Sequence, residues 1–413
     1  MTDQEASGRR LTTQEAAERL GVKPETVYAY VSRGQLSSVR APGGRGSTFD
    51  AAEIEALARR SGRREPQPAI GDLVFRTGIT LIEKGRYYFR GVDAAELARH
   101  HGYEEIAEWL WTGELRHGTR FTAPPQLLEP ARRAVGALPA HSSAMDRLRV
   151  AAIAAAAADP LRFDLSTEAV LGTARSLIPT LAEALPYVGE PRGTGPIAWQ
   201  LWPRLTMRPP DEAWLRALDT ALALLIDHDL AASTLAARVA ASARAHPYAV
   251  VSAGLGALEG PLHGAASGLA HRMLAEVLER GGAAPVVADH LRVGRPVPGL
   301  GHRLYQGEDP RARTLLQLLE EIPDASAALA AARDVVTTTA RHTDSHANVD
   351  LALAVLSVSS GMPAEAGETV FAVARTAGWI AHALEEYAER PLRMRPSGHY
   401  TGPRPPQPVP SAG

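Results

Sequence analysis

Cysteine is absent from all 413 residues. Its absence excludes thiol nucleophiles, thiolate metal sites, thiol redox sensing and a disulfide framework. Long apolar runs are missing too: none approaches the roughly 20 residues that a membrane-spanning helix needs. The opening MTDQEASGRR carries no apolar stretch of the secretory-leader kind. No membrane association and a cytoplasmic location are the resulting expectations. Aromatic residues make up only 5% of the chain and the formal net charge is −2, so the molecule as a whole does not attract nucleic acid. What is plentiful is an ordinary soluble mixture, 45% hydrophobic and 22% charged. The length suits two or three domains with cores that need no cross-links. Charge is uneven: residues 1–65 hold eleven Lys/Arg against nine Asp/Glu, making this piece +2 and the remainder −4.

Residues 1–60 read as a small winged helix. Thr12 and Glu15 have capping-box spacing and open a helix with an apolar face of Ala16, Ala17 and Leu20. Gly21 breaks it. Pro24 suits the first turn of a second helix, which runs to about Arg33 and stops at Gly34. Two short helices with a tight Gly-containing turn form a helix-turn-helix. Residues 37–48 have strand-like ends and a Gly-rich tip, like a wing. A third helix follows, with Asp50 and Glu53 as a second capping box and Phe49 and Ile54 as a hydrophobic staple. TTQEAAERLGVKPETVYAYVSRGQL, the wing and FDAAEIEAL together resemble the DNA-binding domains of MerR-like and excisionase-like proteins. The resemblance implies Thr26, Tyr28 and Tyr30 on a groove-facing helix, Arg33, Arg40 and Arg45 on phosphates, and a dimer reading two half-sites. Glu15, Glu18 and Glu25 oppose this electrostatically, and a helical module for protein contacts is the competing reading.

SGRREPQP, within residues 61–70, is polar and Pro-containing and reads as a linker. Leu73–Ile82 and Arg86–Arg90 are β-rich, with Glu83-Lys84-Gly85 as the turn of a hairpin. Beyond Gly91 the patterns are helical, the first helix capped by Asp93 with Glu96. Ala154–Ala158 is an unbroken alanine run, and Ala327–Ala332 is interrupted only by Leu329. Such runs favour helix and let helices pack closely. The body is therefore expected to be mostly α, and the Pro-rich end, residues 403–413, disordered.

Four segments have settings that suggest chemistry. His263 stands among small residues in GPLHGAA at an expected helix start, where a neutral imidazole could donate to an oxygen gaining negative charge. Taken alone, such a turn more often holds a satisfied structural histidine. VPGLGHRLY followed by Asp309-Pro-Arg311 exposes backbone to a planar ring and puts His302 and Arg311 in reach of an anion; a Gly-rich loop with a capping salt bridge is the alternative. Asp350, in Asn348-Val-Asp350, opens an apolar helix, where a carboxylate is usually an N-cap. Asp227-His228-Asp229 is read as lying in the middle of a helix, as a polar patch. His342-Thr-Asp344-Ser-His346 lacks further matched ligands, so no metal site is expected.

YYFRGVDAAELA, IDHDLAASTLAARVAAS with GALEGPLHGAA, VPGLGHRLYQGEDPRA, NVDLALAVL, FAVARTAGWIAHALEE and MRPSGHYTGP resemble the blocks of the citrate synthase family, in that family's order, from about residue 72 to 403. The resemblance implies a two-domain helical body: a large domain of residues 71–263 and 375–402, and a small domain of residues 264–374 that closes on the substrate. It implies a homodimer that condenses acetyl-CoA with oxaloacetate. Asp350 matches the base, His263 the donor to the thioester carbonyl and His302 the donor to the oxaloacetate ketone. His228, Arg311, Arg375 and Arg395 match the oxaloacetate-binding residues, Arg395 coming from the second subunit. Val297, Pro298, Gly299, Leu300 and Gly301 would lie against the CoA adenine. No metal or redox cofactor is implied.

The sequence departs from the family pattern at several places. His263 is followed by Gly-Ala-Ala-Ser-Gly, without the usual amide and carboxylate. Gln306 replaces a basic CoA contact, and Ser397 the second Arg of the RPR block. Two alternatives to citrate formation stay open. One is 2-methylcitrate from propionyl-CoA, a distinction of one methyl worth about 1–3 kcal/mol. The other is a DNA-binding regulator whose synthase-like body senses metabolites.

Overall fold

The computed structural model describes residues 10–20, 22–32, 34–40, 47–60, 75–260, 263–394, 401–403 and 407. The expected linker 61–70, most of the Pro-rich end, Arg33, Arg45 and Arg395 lie outside the described residues. The chain divides into two compact units, Met1–Arg76 and Thr77–Gly413.

In the first unit β1 (Arg10–Thr12), β2 (Ser38–Arg40) and β3 (Ser47–Asp50) form an antiparallel sheet in the order β1-β3-β2. Helices α1 (Thr13–Leu20), α2 (Pro24–Ser32) and α3 (Ala51–Arg60) accompany it. Leu11, Ala16, Ala17, Leu20, Val27, Phe49 and Ile54 are buried in one cluster. Strand β1 was not expected: Leu11 alternates into the core and pairs with Phe49 before the helix begins. The first capping box is present, since the Thr12 N–H donates to Glu15 at 2.8 Å and the Glu15 N–H to the Thr12 hydroxyl at 3.3 Å. The second is not reciprocal. Asp50 accepts from the Ala52 and Glu53 N–H groups, but the Glu53 carboxylate turns to Ser37, accepting from its N–H and its hydroxyl. It thereby ties the end of the helix-turn-helix to α3.

The second unit opens with β4 (Thr80–Glu83), β5 (Arg86–Phe89) and β6 (Val92–Asp93), a three-stranded antiparallel sheet. The first strand is shorter than expected, and the two-residue β6 makes a meander of the expected hairpin. Among the described residues, every regular element that follows is helical: α4 (Ala94–His100), α5 (Tyr103–Thr112), α6 (Pro125–Gly136), α7 (Ala144–Ala158), α8 (Thr167–Ala184), α9 (Ile197–Leu205), α10 (Glu212–Leu225), α11 (Ala232–Ser242) and α12 (Pro247–Leu258). After these come α13 (Ala266–Arg280), α14 (Ala283–Arg292), α15 (Pro310–Glu320), α16 (Ser326–Thr339), α17 (Val349–Ser359) and α18 (Ala366–Ala388). The caps follow sequence chemistry. Asp93, Ser143, Ser166 and Asp211 each accept backbone N–H groups at helix starts. No helix among the described residues is long and apolar enough to cross a membrane.

Helix α18 organises this unit. It packs on α8, α10, α11 and α12 and is buried on nearly every face. A helix surrounded in this way needs small residues where neighbouring backbones approach. Gly378 is such a place: a Cβ there would overlap the Ile226 carbonyl oxygen and touch the Asp227 side chain at 3.1 Å. Gly378→Ala is expected to destabilise the protein by about 3 kcal/mol or more, because overpacking against backbone cannot relax. Thermal unfolding checks this, and a Tm equal to the wild type would show that the 226–227 segment yields freely.

The segment that Gly378 admits corrects an expectation. Residues 226–231 are not helical; α10 ends at Leu225 and α11 begins at Ala232. Asp227 and His228 therefore sit in a buried break between helices, 0% and 6% exposed, and form no surface patch.

Candidate active site

Four helix junctions and the middle of α18 converge on a cavity of about 360 Å³. Its lining includes His228, His263, His302, Arg311, Asp350, Phe371 and Arg375. All six described residues expected to act on or hold substrate are thus brought together from sequence positions as far as 147 residues apart, His228 and Arg375 being the extremes. A larger cavity of about 800 Å³ lies between α15 and α16 and shares only the start of α17 with this region. It contains none of these groups.

Asp350 is free to act because its neighbour takes the capping role. Asn348 is the N-cap of α17, its side-chain oxygen accepting from the Asp350 and Leu351 N–H groups at 3.0 and 3.4 Å. The Asp350 carboxylate accepts no hydrogen bond from a described residue and is half-buried at the cavity wall. Burial raises its pKa to about 6; Arg311 pulls the other way and Asp309 adds to the rise. Such a carboxylate is ionised at neutral pH yet has an enhanced appetite for a proton.

The loop carrying His302 is stitched to the segment before Asp350. Leu300 and Ala347 form an antiparallel bridge. The Gly301 N–H donates to the His346 carbonyl at 2.7 Å, and the Asn348 side chain donates to the Gly301 carbonyl at 2.9 Å. Gly299 is needed here. It has φ +80°, and a Cβ would come within 2.8 Å of the Leu351 Cβ. Of the five residues expected against adenine, Val297 and Gly299 are buried, while Pro298, Leu300 and Gly301 are half-buried.

The tautomer of His302 follows from its backbone. The Leu304 N–H donates to Nδ1 at 3.1 Å, so the ring proton of the neutral form sits on Nε2. The 3.3 Å approach of Arg311 Nη2 to Nε2 is then a donor facing a donor, not a hydrogen bond. Burial, with Arg311 adding to it, lowers the His302 pKa to about 4. His263 is lowered to about 4 by burial and then by Arg375. Its Nε2 lies 2.8 Å from the Ser233 hydroxyl. Ser233 is fully buried on α11 and supplies the support that the altered residues after His263 do not. Burial, joined by Arg311, His302 and Arg375, holds His228 well below the ordinary value. His228 Nε2 lies 2.6 Å from the Tyr305 hydroxyl, and its ring stands edge-on to His302 at 5.1 Å. All three histidines are neutral at pH 7.

The two arginines differ. Arg311 is clamped by Asp309, Nε to Oδ1 at 3.0 Å and Nη2 to Oδ2 at 2.7 Å. Burial works to lower its pKa, but Asp309 outweighs this and raises it. Arg375, on α18, is 1% exposed. Its Nε donates to the Leu225 carbonyl at 2.9 Å and its guanidinium lies over the Phe371 ring at 4.6 Å. Nη1 and Nη2 are buried and have no hydrogen-bond partner. Burial lowers its pKa to about 10, so it remains cationic.

Beneath the cavity runs a network that the sequence reading did not find. Asp227 accepts from the Thr80 hydroxyl at 2.5 Å and meets His382 Nε2 at 3.2 Å. His382 Nδ1 contacts Arg238, which is paired with Glu385 and Glu386. Burial works to raise the Asp227 carboxyl, but His382 and Arg375 outweigh it and hold it low. Asp227 thus supplies a negative charge that favours the cationic form of Arg375. Ser233 and His382 lie within quoted sequence blocks and Thr80 in the first β-rich stretch, but local pattern gives none of them a role, because each acts through a partner more than 25 residues away.

In the first unit Tyr28 is 45% exposed, its hydroxyl 3.1 Å from the Thr13 hydroxyl, and Arg40 is exposed on β2. Thr26 is half-buried, and Tyr30 packs against the core, so it is less available than expected. Among the described residues His342, Asp344 and His346 do not converge as a ligand group.

A sequence profile described as "Citrate synthase, C-terminal domain" matches residues 71–397, and a "Helix-turn-helix domain" profile matches residues 10–62. The chain is 34% identical over 220 residues to citrate synthase 2 of Bacillus subtilis, which is 52% of this chain and 58% of that protein. It thus spans little more than half the length of that relative. It is 30% identical over 366 residues to a citrate synthase of Haloferax volcanii, covering 80% of this chain and 94% of that one. The citrate synthase structure of Thermotoga maritima superposes with a TM-score of 0.64 at 27% identity, covering 82% of this chain and 96% of the other.

Proposed function

The chain belongs to the citrate synthase family, and from that premise we propose that its second unit condenses acetyl-CoA with oxaloacetate to give citrate and free CoA. The observation that carries this reading is the pair of partnerless, buried nitrogens of Arg375 at the cavity wall, beside Arg311. A buried cation with unmade hydrogen bonds is costly in the free protein. A dicarboxylate supplies both the charge and the acceptors, and the guanidinium fork suits a carboxylate bidentately. His228 and Arg311 complete the cradle, with Arg395 of a second subunit as the remaining cation.

The chemistry follows from the neighbours. Asp350 takes a proton from the methyl of acetyl-CoA. The enolate oxygen is stabilised by His263: with the Ser233 hydroxyl donating to Nε2, the proton rests on Nδ1. The enolate carbon then bonds to the ketone carbon of oxaloacetate, whose oxygen accepts from His302 Nε2–H and takes up a proton. Water cleaves the resulting thioester and releases CoA. Neutral imidazoles suit both donor roles, because they stabilise developing charge without pairing to the ground state. The reaction needs no metal or redox cofactor. Closure of residues 264–374 on residues 71–263 and 375–402 would exclude water and complete the site, with the loop 297–301 receiving the adenine. Exposed Ile153, Leu161 and Phe163, 62%, 77% and 67% exposed, favour a homodimer.

The test is CoA release by the purified full chain with acetyl-CoA and oxaloacetate. Saturable release that depends on both substrates is expected, and none at any pH would overturn the reading. Propionyl-CoA in parallel decides the acyl preference: a higher kcat/KM with it would make the protein a 2-methylcitrate synthase. A second reading rests on the first unit, whose helix-turn-helix and sheet, with Tyr28 and Arg40 exposed, favour DNA binding in addition to catalysis. Salt-sensitive retention of a duplex by the full chain, lost on Arg40→Ala, is expected. Equal retention by the Arg40→Ala variant would count against it.

A further inference from the structure

A second cluster of chemically capable side chains lies at the junction of α4 and α5. His101 is the residue that ends α4, Glu105 sits in the first turn of α5, and His117 lies in the loop after α5. One ligand atom from each lies within 4.8 Å of the others. From this arrangement we infer that His101, Glu105 and His117 form a binding site for a borderline divalent transition-metal ion such as Zn²⁺ or Co²⁺.

Three features point to an ion. First, His101 Nδ1 is buried and has no hydrogen-bond partner. It faces Glu105 Oε2 at 3.6 Å, too long for a hydrogen bond. Ligand atoms about 2.0–2.2 Å from a tetrahedral zinc stand about 3.3 Å apart, so the gap accommodates an ion with a small side-chain adjustment. His117 Nδ1 is similarly placed, 3.9 Å from Glu105 Oε1, with its ring 5.5 Å from that of His101.

Second, the carboxylate is held in place without being used up. Glu105 accepts from the Gly118 N–H at 2.7 Å and the Gly102 N–H at 3.3 Å. A carboxylate has about four acceptor positions, so two remain for a cation. Third, the donor set is discriminating. Two imidazoles and one carboxylate, without thiolates, suit Zn²⁺, Co²⁺ or Ni²⁺ better than Mg²⁺ or Ca²⁺, which prefer all-oxygen shells. The His117 side chain is 78% exposed, which leaves a coordination position open to water. A bound ion would add a further tie between the loop after α5 and the α4–α5 junction, beside the bonds of the Gly118 N–H to Glu105 and the Phe121 N–H to Glu104.

The experiment uses tag-free full-length protein, stripped with chelator and dialysed, then titrated with Co²⁺ and with Zn²⁺. Binding is read by visible Co²⁺ absorption, by calorimetry and by the rise in Tm with added Zn²⁺. One saturable equivalent is expected. His117→Ala, at an exposed position where the fold is undisturbed, should weaken binding at least about tenfold, since even outer partners of metal sites cost that much. Glu105→Gln should do the same; should it also lower the metal-free Tm, His117→Ala decides alone. The proposal is overturned if the wild type shows no saturable binding. It is equally overturned if His117→Ala binds as tightly as the wild type, for the ion then resides on other histidines.

Discussion

Replacing Asp350 by Ala is expected to lower CoA release at least about a thousandfold, at the upper end of what a positioned base contributes. Among the described residues the only other carboxylate lining the cavity is Asp229, at the break before α11. The pH profile carries a separate signature. With Asp350 at about 6 and both His263 and His302 near 4, kcat/KM should fall tenfold per pH unit below about pH 6. One ionisation is then visible, because the imidazoles stay neutral through that range. An unchanged rate in the Ala variant would remove Asp350 from the chemistry.

The same residue makes a stability prediction of definite sign. Its pKa is raised from 3.8 to about 6 on folding, so between these values the folded state binds more protons than the unfolded chain. Stability therefore falls as pH rises through this window, and the ionised group costs about 1–3 kcal/mol above it, the lower end reflecting its contact with the cavity. Asp350→Asn should raise Tm at pH 8 and leave it unchanged near pH 4. A loss of Tm at pH 8 would mean that the carboxylate is satisfied in the folded protein.

Arg375→Met is expected to raise KM for oxaloacetate at least about a hundredfold, as loss of a buried charge-assisted bidentate contact does. Arg375→Lys should not restore it, because an ammonium lacks the planar fork. Thermal unfolding separates binding from folding. Without substrate the Met variant should stay close to the wild type in Tm: it gives up one bond to the Leu225 carbonyl and some support of the Asp227 charge but removes a buried cation with two unmade bonds. With oxaloacetate at about 100 times its Kd the wild type should gain about 2.7 kcal/mol and the variant none. If oxaloacetate stabilises both equally, the substrate carboxylates lie elsewhere.

Legibility along the chain differed by the range of the interaction involved. The helix-turn-helix was readable because caps and turns are local: Thr12 with Glu15 and Pro24 at a helix start need only their immediate neighbours. Glu53 departs from its expected capping box for the converse reason, its partner Ser37 being sixteen residues back. His228 was assigned to a helix because IDHDLAAS has helical composition. The break arises where Gly378 of α18 crosses against the Ile226 carbonyl, which no pattern near residue 228 records.

By itself the sequence determined the class of molecule, the order of its two units, the family and the residue types gathered at the candidate site. Those depend on residue types, local spacing and the order of blocks. The tertiary structure decided their chemical states. It freed Asp350 by giving the cap to Asn348, placed the His302 proton on Nε2 through the Leu304 N–H, backed His263 with Ser233, and left Arg375 with two unmade bonds. Each of these turns on burial or on an angle between groups, and neither quantity exists until helices from distant parts of the chain pack together.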